Sequence, residues 1–282
     1  MVSDDILMDM LVLKGGNALD MVLGIAQRAS IDLDFSIAGE FDREMLSNPA
    51  PTIEALLKQT FRDAGYEVFD VEFTERPKGL EPKLAGFWGG YEIVFKVIRT
   101  RDFLRFDDSK EHLRRNALVV GYRQKKKFRI EISKFEYCAD KQAEKIGGYT
   151  VYVYTPTLIV IEKIRAICQQ IPAYSDIVPS VTPSPRGRDF FDIYTVLEHF
   201  DIDLLSADNI RLLKKVFQAK KVPLDYVDKV SEYREFHRQD FVALKDTVKP
   251  GFELRDFDYY FEYVLSRLPK SEARGVKEAP AW

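Results

Sequence analysis

Apolar and polar residues alternate along much of the first half of the chain, whereas apolar positions three and four apart mark the second half. The change falls near residue 155. Close to the start, Met10–Leu13 form a short apolar run that ends at Lys14-Gly15-Gly16. Ala18, Leu19, Val22, Leu23 and Ala26 then recur with helical spacing, which predicts a helix from Asn17 onward. Ile31 to Ile37 alternates without a break and predicts a half-buried strand. Its apolar face carries Ile31, Leu33, Phe35 and Ile37, and its acidic face Asp32, Asp34 and Ser36.

Pro51 and Gly65 bracket a helix expected over Thr52–Ala64. Strands are expected over Val68–Phe73, over the largely buried Tyr91–Ile98, and over Tyr149–Tyr154. Ala117–Val120 and Lys127–Ser133 are expected to form a hairpin around a basic turn. Thr155-Pro156 then signals the start of a helix running to about Gln170. A proline-rich loop with Pro172, Pro179, Pro183 and Pro185 follows. Helices are predicted over Arg188–Phe200, Ala207–Lys220, Asp225–Lys245 and Asp256–Leu268, with a frayed last dozen residues. The layout is α/β (α+β), a mixed sheet with flanking helices over residues 1–154, followed by a helical domain over residues 155–282.

Composition narrows the class. With 282 residues, 46% hydrophobic and 13% aromatic, the chain can bury enough surface to exclude global disorder. No apolar run approaches the ~20 residues of a membrane span, so no membrane association is expected. The acidic N-terminus is unlike a secretory signal. Two cysteines and three histidines exclude a disulfide scaffold and a Cys/His zinc site, and a reducing, cytoplasmic setting is expected. The net charge of −3 is uneven: eleven Lys/Arg against four Asp/Glu between Arg99 and Arg129 give this stretch +7. A basic stretch on an acidic protein is a candidate phosphate-binding surface, and equally a solvated edge.

The acidic strand carries the sharpest chemistry. Residues i and i+2 on a strand share a face, so Asp32 and Asp34 are expected ~7 Å apart on one side. Two carboxylates so placed repel, so either a divalent cation lies between them or both are exposed on a solvated sheet face. Arg129, Glu131 and Ser133 form the polar face of a second alternating strand. If it lies beside the first, Glu131 completes a cluster of three acids suited to Mg²⁺ or Mn²⁺ and to phosphoryl transfer. Gly15-Gly16, between a strand and a helix, lets backbone approach a phosphate, although the GxxxxGK[ST] spacing of a P-loop is absent.

Lys14-Gly15-Gly16-Asn17-Ala18-Leu19 and Arg28-Ala29-Ser30-Ile31-Asp32-Leu33-Asp34-Phe35 together resemble two blocks of the AbiEii/AbiGii toxin family of nucleotidyltransferases, within the polymerase-beta-like superfamily. Asn17 stands where that family usually has a hydroxyl residue. Ile161-Glu162-Lys163-Ile164-Arg165-Ala166 resembles the family's helical lysine motif. Arg186-Gly187-Arg188-Asp189-Phe190-Phe191-Asp192-Ile193-Tyr194 resembles its Arg-Asp-x-x-Asp-x-Tyr motif.

The resemblance implies a nucleotidyltransferase fold in which Asp32, Asp34 and Glu131 hold Mg²⁺ and act in catalysis with Lys163, Asp189 and Asp192. It implies that Lys14, Gly15, Gly16, Asn17, Arg28, Ser30 and Lys163 bind the nucleotide. It also implies an NTP substrate, RNA (the tRNA 3′ end) as acceptor, and a toxin with a cognate antitoxin protein, in a toxin–antitoxin or phage-defence pair. The alternatives are a protein or small-molecule acceptor, or a non-catalytic binding module. Lys163 lies off the stripe Leu158, Ile161, Ile164 and Cys168, so its ammonium is expected to face away from the packed side. Asp189 and Asp192, at i and i+3, share a helix face from which they can position it. The aromatic set Phe257, Tyr259, Tyr260, Phe261 and Tyr263 is expected to be helix core rather than a base-stacking platform.

Overall fold

The computed structural model describes residues 3–42, 49–106, 109–120 and 125–271. The frayed terminus expected from the sequence lies outside them, apart from Ser271, as does the centre of the basic turn. Seven strands form one mixed sheet: β1 Val12–Lys14, β2 Leu33–Ser36, β3 Tyr66–Arg76, β4 Gly90–Arg99, β5 Phe128–Ser133, β6 Lys141–Ile146 and β7 Tyr149–Tyr154. Their spatial order is β3-β4-β5-β2-β1-β7-β6. β2 runs parallel to β5 and antiparallel to β1, while β1 runs parallel to β7. β3, β4 and β5 are antiparallel neighbours.

The chain divides into two compact units. The first comprises Met1–Asn17, Ile31–Phe135 and Ala143–Val153. One face of its sheet is apolar, with Leu13, Phe35, Tyr91, Ile93, Phe95, Ile130 and Ile132 all buried. The helix Pro49–Asp63 packs on this side of the sheet. Its Phe61 ring stands edge-on to Phe95 and Phe128, at 5.6 and 6.2 Å. Strict alternation in β5 (Ile130 and Ile132 in, Arg129 and Glu131 out) is what a sheet buried on one face demands.

The second unit comprises Ala18–Ser30, Glu136–Gln142 and Tyr154–Trp282. Its central helix, Pro156–Cys168, has proline in its first turn, and the Thr155 hydroxyl accepts from the Leu158 N–H. Gly187–His199 and Ala207–Ala219 pack on it, and Phe257–Arg267 packs on Gly187–His199. Phe190 meets Phe257 and Phe261 at 5.5 and 5.0 Å, so most of the aromatic set is core. Tyr259 remains exposed.

Four expectations are corrected. Ala117–Val120 is not a strand. The stretch before it folds as two short helices, Thr100–Phe106 and Lys110–Asn116, the second capped by Ser109. β5 pairs instead with β4 and β2. β2 begins only at Leu33, so Asp32 precedes it and Ile31 is 49% exposed. Asp225–Lys245 is not one helix but alternates short α and 3₁₀ turns from Tyr226 to Asp246.

Candidate active site

The polar face of the first unit's sheet is built by register. Lys14 on β1 stands opposite Asp34 on β2, and Asp34 opposite Glu131 on β5. Glu131 in turn pairs with Glu92 on β4. Residues paired across a ladder project to the same side, with strands ~4.8 Å apart. Lys14, Asp34, Glu131 and Glu92 therefore form one transverse row. Lys14 Nζ donates to Ser133 Oγ at 3.1 Å, one step further along β5.

Gly15 follows β1 directly, with φ +71°. A Cβ there would lie 2.6 Å from Asp34 Oδ2, so the carboxylate rests against bare backbone and any larger residue would have to displace it. Gly15–Asn17 form a helical turn that continues as a π-helical turn over Ala18–Val22. Asn17 is nearly buried, and its Nδ2 donates to the Asp32 carbonyl at 2.6 Å. That bond pins the residues before β2 to the glycine turn. Asn17 thus does structural work that a shorter hydroxyl side chain would reach less easily.

The donor chemistry on this face is oxygen only, as a hard divalent cation prefers. The three-acid cluster expected from sequence is not assembled, however. Asp34 and Glu131 are brought together by the parallel register, while Asp32 lies in the bend before β2. Among the described residues, no three His, Cys, Asp or Glu side chains are grouped closely enough to hold a metal ion. Glu131 is half exposed, and one of its oxygens meets Arg129 Nη1 at 3.3 Å.

Glu92 is the residue that sequence reasoning missed. It is buried on a polar face, with ion pairs to Arg76 and, at 3.3 Å, to Arg129. The available signal was a single charge inside the otherwise apolar run Tyr91–Phe95.

The second unit holds Arg28, Lys163, Asp189 and Asp192 in one buried ionic cluster. A short antiparallel contact sets Arg28: Ala29 N–H donates to the Thr247 carbonyl, and Lys249 N–H to the Gln27 carbonyl, both at 2.8 Å. The Arg28 guanidinium then grips Asp192 with both arms, Nε to Oδ1 at 2.8 Å and Nη2 to Oδ2 at 2.6 Å. Lys163 Nζ donates to Asp192 Oδ2 at 2.8 Å and to Asp189 Oδ1 at 2.6 Å.

The expected outward-facing Lys163 is therefore corrected, since the residue is only 5% exposed. Its helix is buried nearly all round, so the apolar stripe did not define a single packed side. Burial by itself would lower the lysine pKa, but the two carboxylates outweigh it and hold it above the ordinary range. Burial likewise would raise both aspartates. Lys163 with Arg186 at Asp189, and Arg28 with Lys163 at Asp192, hold them below the ordinary carboxylate range. Ser30 is half-buried at the end of this segment.

The mixed sheet thus sets a glycine turn, an aspartate strand and a further acid side by side. The model of the family described as nucleotidyl transferase AbiEii toxin, type IV toxin–antitoxin system, matches residues 2–263, and the chain belongs to that family. It is accordingly a nucleotidyltransferase of toxin type. No curated protein matches it. Among solved structures, MenT4, a nucleotidyltransferase toxin from Mycobacterium tuberculosis, is 16% identical over 94% of this chain and 78% of its own, with a TM-score of 0.47. JHP933 from Helicobacter pylori is 17% identical over 93% of this chain and 83% of its own, with a TM-score of 0.44. No described helix is long and apolar enough to cross a membrane.

Proposed function

We propose that the protein transfers a nucleoside monophosphate from an NTP to an RNA hydroxyl, with the 3′ end of tRNA as the first candidate. It would do so as the toxin of a bacterial toxin–antitoxin or phage-defence pair whose antitoxin is a protein. The observation that carries this reading is the in-register row of Lys14, Asp34 and Glu131 beside a glycine turn.

Asp34 and Glu131, with Asp32 in the bend just before β2, are the residues that would hold Mg²⁺ or Mn²⁺. Mg²⁺ is commonly held by one or two carboxylates together with substrate phosphates and water, so the absence of a preassembled three-acid cage is compatible with it. When bound, the cation supplies charge neutralisation at the transferring phosphoryl group. Gly15 and Gly16 let backbone approach the triphosphate, and Lys14, oriented by Ser133, supplies a point charge to it. Glu131 takes the proton of the acceptor hydroxyl as that oxygen bonds to the α-phosphorus. The bond between the α-phosphorus and the bridging oxygen breaks, and pyrophosphate leaves with its electron pair. Catalysis of this kind is mostly positioning and charge neutralisation. Arg28, Lys163, Asp189 and Asp192 serve as an internal ionic frame of their own unit, with Arg186 also meeting Asp189.

The test is incubation with each labelled NTP, Mg²⁺ and total RNA, followed by a denaturing gel. Label entering an RNA band is the expected result. Label entering only protein, or no product with any NTP, overturns the RNA assignment.

A further inference from the structure

The transverse row does not stop at Glu131. Glu92 on β4 pairs with Glu131, and Thr74 on β3 pairs with Glu92. At ~4.8 Å per strand, Thr74 lies about 10 Å from Glu131 along the row. Here the sheet carries a cavity of about 400 Å³ lined by Glu72, Thr74, Arg76, Lys78, Glu92 and Val94. Buried Glu92 ties this cavity to the candidate base: it pairs with Arg76 on one side and with Arg129 on the other, and Arg129 also pairs with Glu131. Both arginines keep their outer surfaces exposed, at 65% and 47%. Lys78 is exposed and forms no ion pair among the described residues.

We infer that this cavity is the acceptor site, and that it holds the sugar–phosphate backbone of an RNA end whose terminal hydroxyl reaches Glu131. The inference rests on the nucleotidyltransferase role of Asp34 and Glu131. Arg76 and Lys78 are the donors that a backbone phosphate requires. Thr74 and the Glu72 carboxylate are hydrogen-bonding partners for ribose hydroxyls. The ~10 Å from Thr74 to Glu131 is a one- to two-nucleotide span, which suits a chain end better than a single small molecule. Equally informative is what the lining lacks. None of its six residues is aromatic or an amide, so it offers no aromatic stacking platform and no amide to read an adenine edge. With Arg76 and Glu92 engaged with each other, the site is expected to grip backbone rather than discriminate among bases.

The test is direct binding, in parallel with transfer. Short single-stranded RNAs ending in a 3′ hydroxyl are titrated against the whole protein, with each base near the end changed in turn and with an abasic version. Lys78→Ala and Thr74→Val are compared with the parent; both leave the Arg76–Glu92 pair intact and so spare the sheet. The expected result is a loss of RNA affinity of about tenfold for Lys78→Ala and a few-fold for Thr74→Val. NTP binding should be unchanged, and the abasic RNA should bind within about threefold of the normal one. RNA affinity unaltered in both variants, or a strong preference for one base in the terminal two nucleotides, overturns the acceptor site. Absence of RNA binding by the parent, with transfer to a protein instead, also overturns it. RNA binding that follows the expected pattern without transfer to any acceptor would count against the catalytic assignment alone.

Discussion

Arg28 and Asp192 lie 164 positions apart in the chain, yet they meet as a two-pronged buried pair, with bonds of 2.8 and 2.6 Å. Lys163 shares the Asp192 Oδ2 that Arg28 uses, which makes the carboxylate the hub of the second unit's ionic cluster.

That sharing reverses the expectation for Lys163. An exposed helix lysine is replaceable by alanine at almost no cost, within about ±0.5 kcal/mol. Here Lys163→Ala would leave buried Asp189 with only the longer Arg186 contact, and Asp192 with Arg28 alone. Removing one member of a buried pair typically costs about 3–5 kcal/mol. Lys163→Ala is therefore expected to lower the melting temperature markedly, and Asp192→Ala at least as much. Arg28→Lys, which keeps the charge but loses the fork, should fall in between. A Lys163→Ala protein that melts like the parent would contradict the cluster.

These residues show what the sequence could disclose. The Asp34 strand and the alternating Arg129–Ser133 strand were legible because one buried face imposes a period of two, and that period survives in any context. The parallel register that sets Asp34 against Glu131 is a long-range pairing that no local pattern encodes. Lys163 was misplaced for a related reason. An apolar stripe shows which side of a helix must be buried, but says nothing of a second layer covering the other side with matched charges. The basic stretch gave its charge correctly and its structure wrongly, since the short Thr100–Asn116 helices carry little periodicity.

Gly15 makes a prediction about the glycine turn. An alanine at φ +71° costs roughly 1–2 kcal/mol of backbone strain, and its Cβ would also strike Asp34 Oδ2. Gly15→Ala is expected to lower stability by about that amount and to cut transfer at least tenfold by displacing the carboxylate. Asp34→Asn isolates the second effect. It preserves shape and is expected to melt within about 1 kcal/mol of the parent, while losing roughly 10²-fold in transfer, as other electrostatic groups at reacting centres do. Paired melting curves and single-turnover assays check both.

Gly187, inside the Arg-Gly-Arg-Asp motif, is required by packing rather than by chemistry. A Cβ at this position would stand 2.5 Å from the His237 carbonyl oxygen and 2.7 Å from the Phe241 nitrogen. Both are backbone atoms that cannot rotate away. In a free helix, alanine would be preferred over glycine by about 1 kcal/mol. Overpacking against fixed backbone costs about 1–3 kcal/mol and is expected to win. Gly187→Ala should lower the denaturant midpoint; a higher midpoint would show that the two segments are not so close.

His237 is expected to make the stability of this unit depend on pH. It is 1% exposed, and its Nδ1 accepts the Arg186 N–H at 3.2 Å, a bond that requires the neutral ring. Burial, helped by the nearby Arg186 charge and opposed by Asp189 and Asp240, pushes its pKa down to about 4 from 6.5. Between these values the unfolded chain binds a proton that the folded protein refuses, so stability falls as pH falls. The loss is nil well above pH 6.5 and approaches about 3 kcal/mol near pH 4. Asp189 and Asp192 have depressed pKa values, so their contribution is lost only below the ordinary aspartate range, outside this window. His237→Asn retains an acceptor near the Nδ1 position but cannot take up a proton there. Urea unfolding at intervals from pH 7 to pH 4.5 should therefore show a shallower decline in the variant than in the parent, and parallel declines would mean that His237 is not the group excluding the proton.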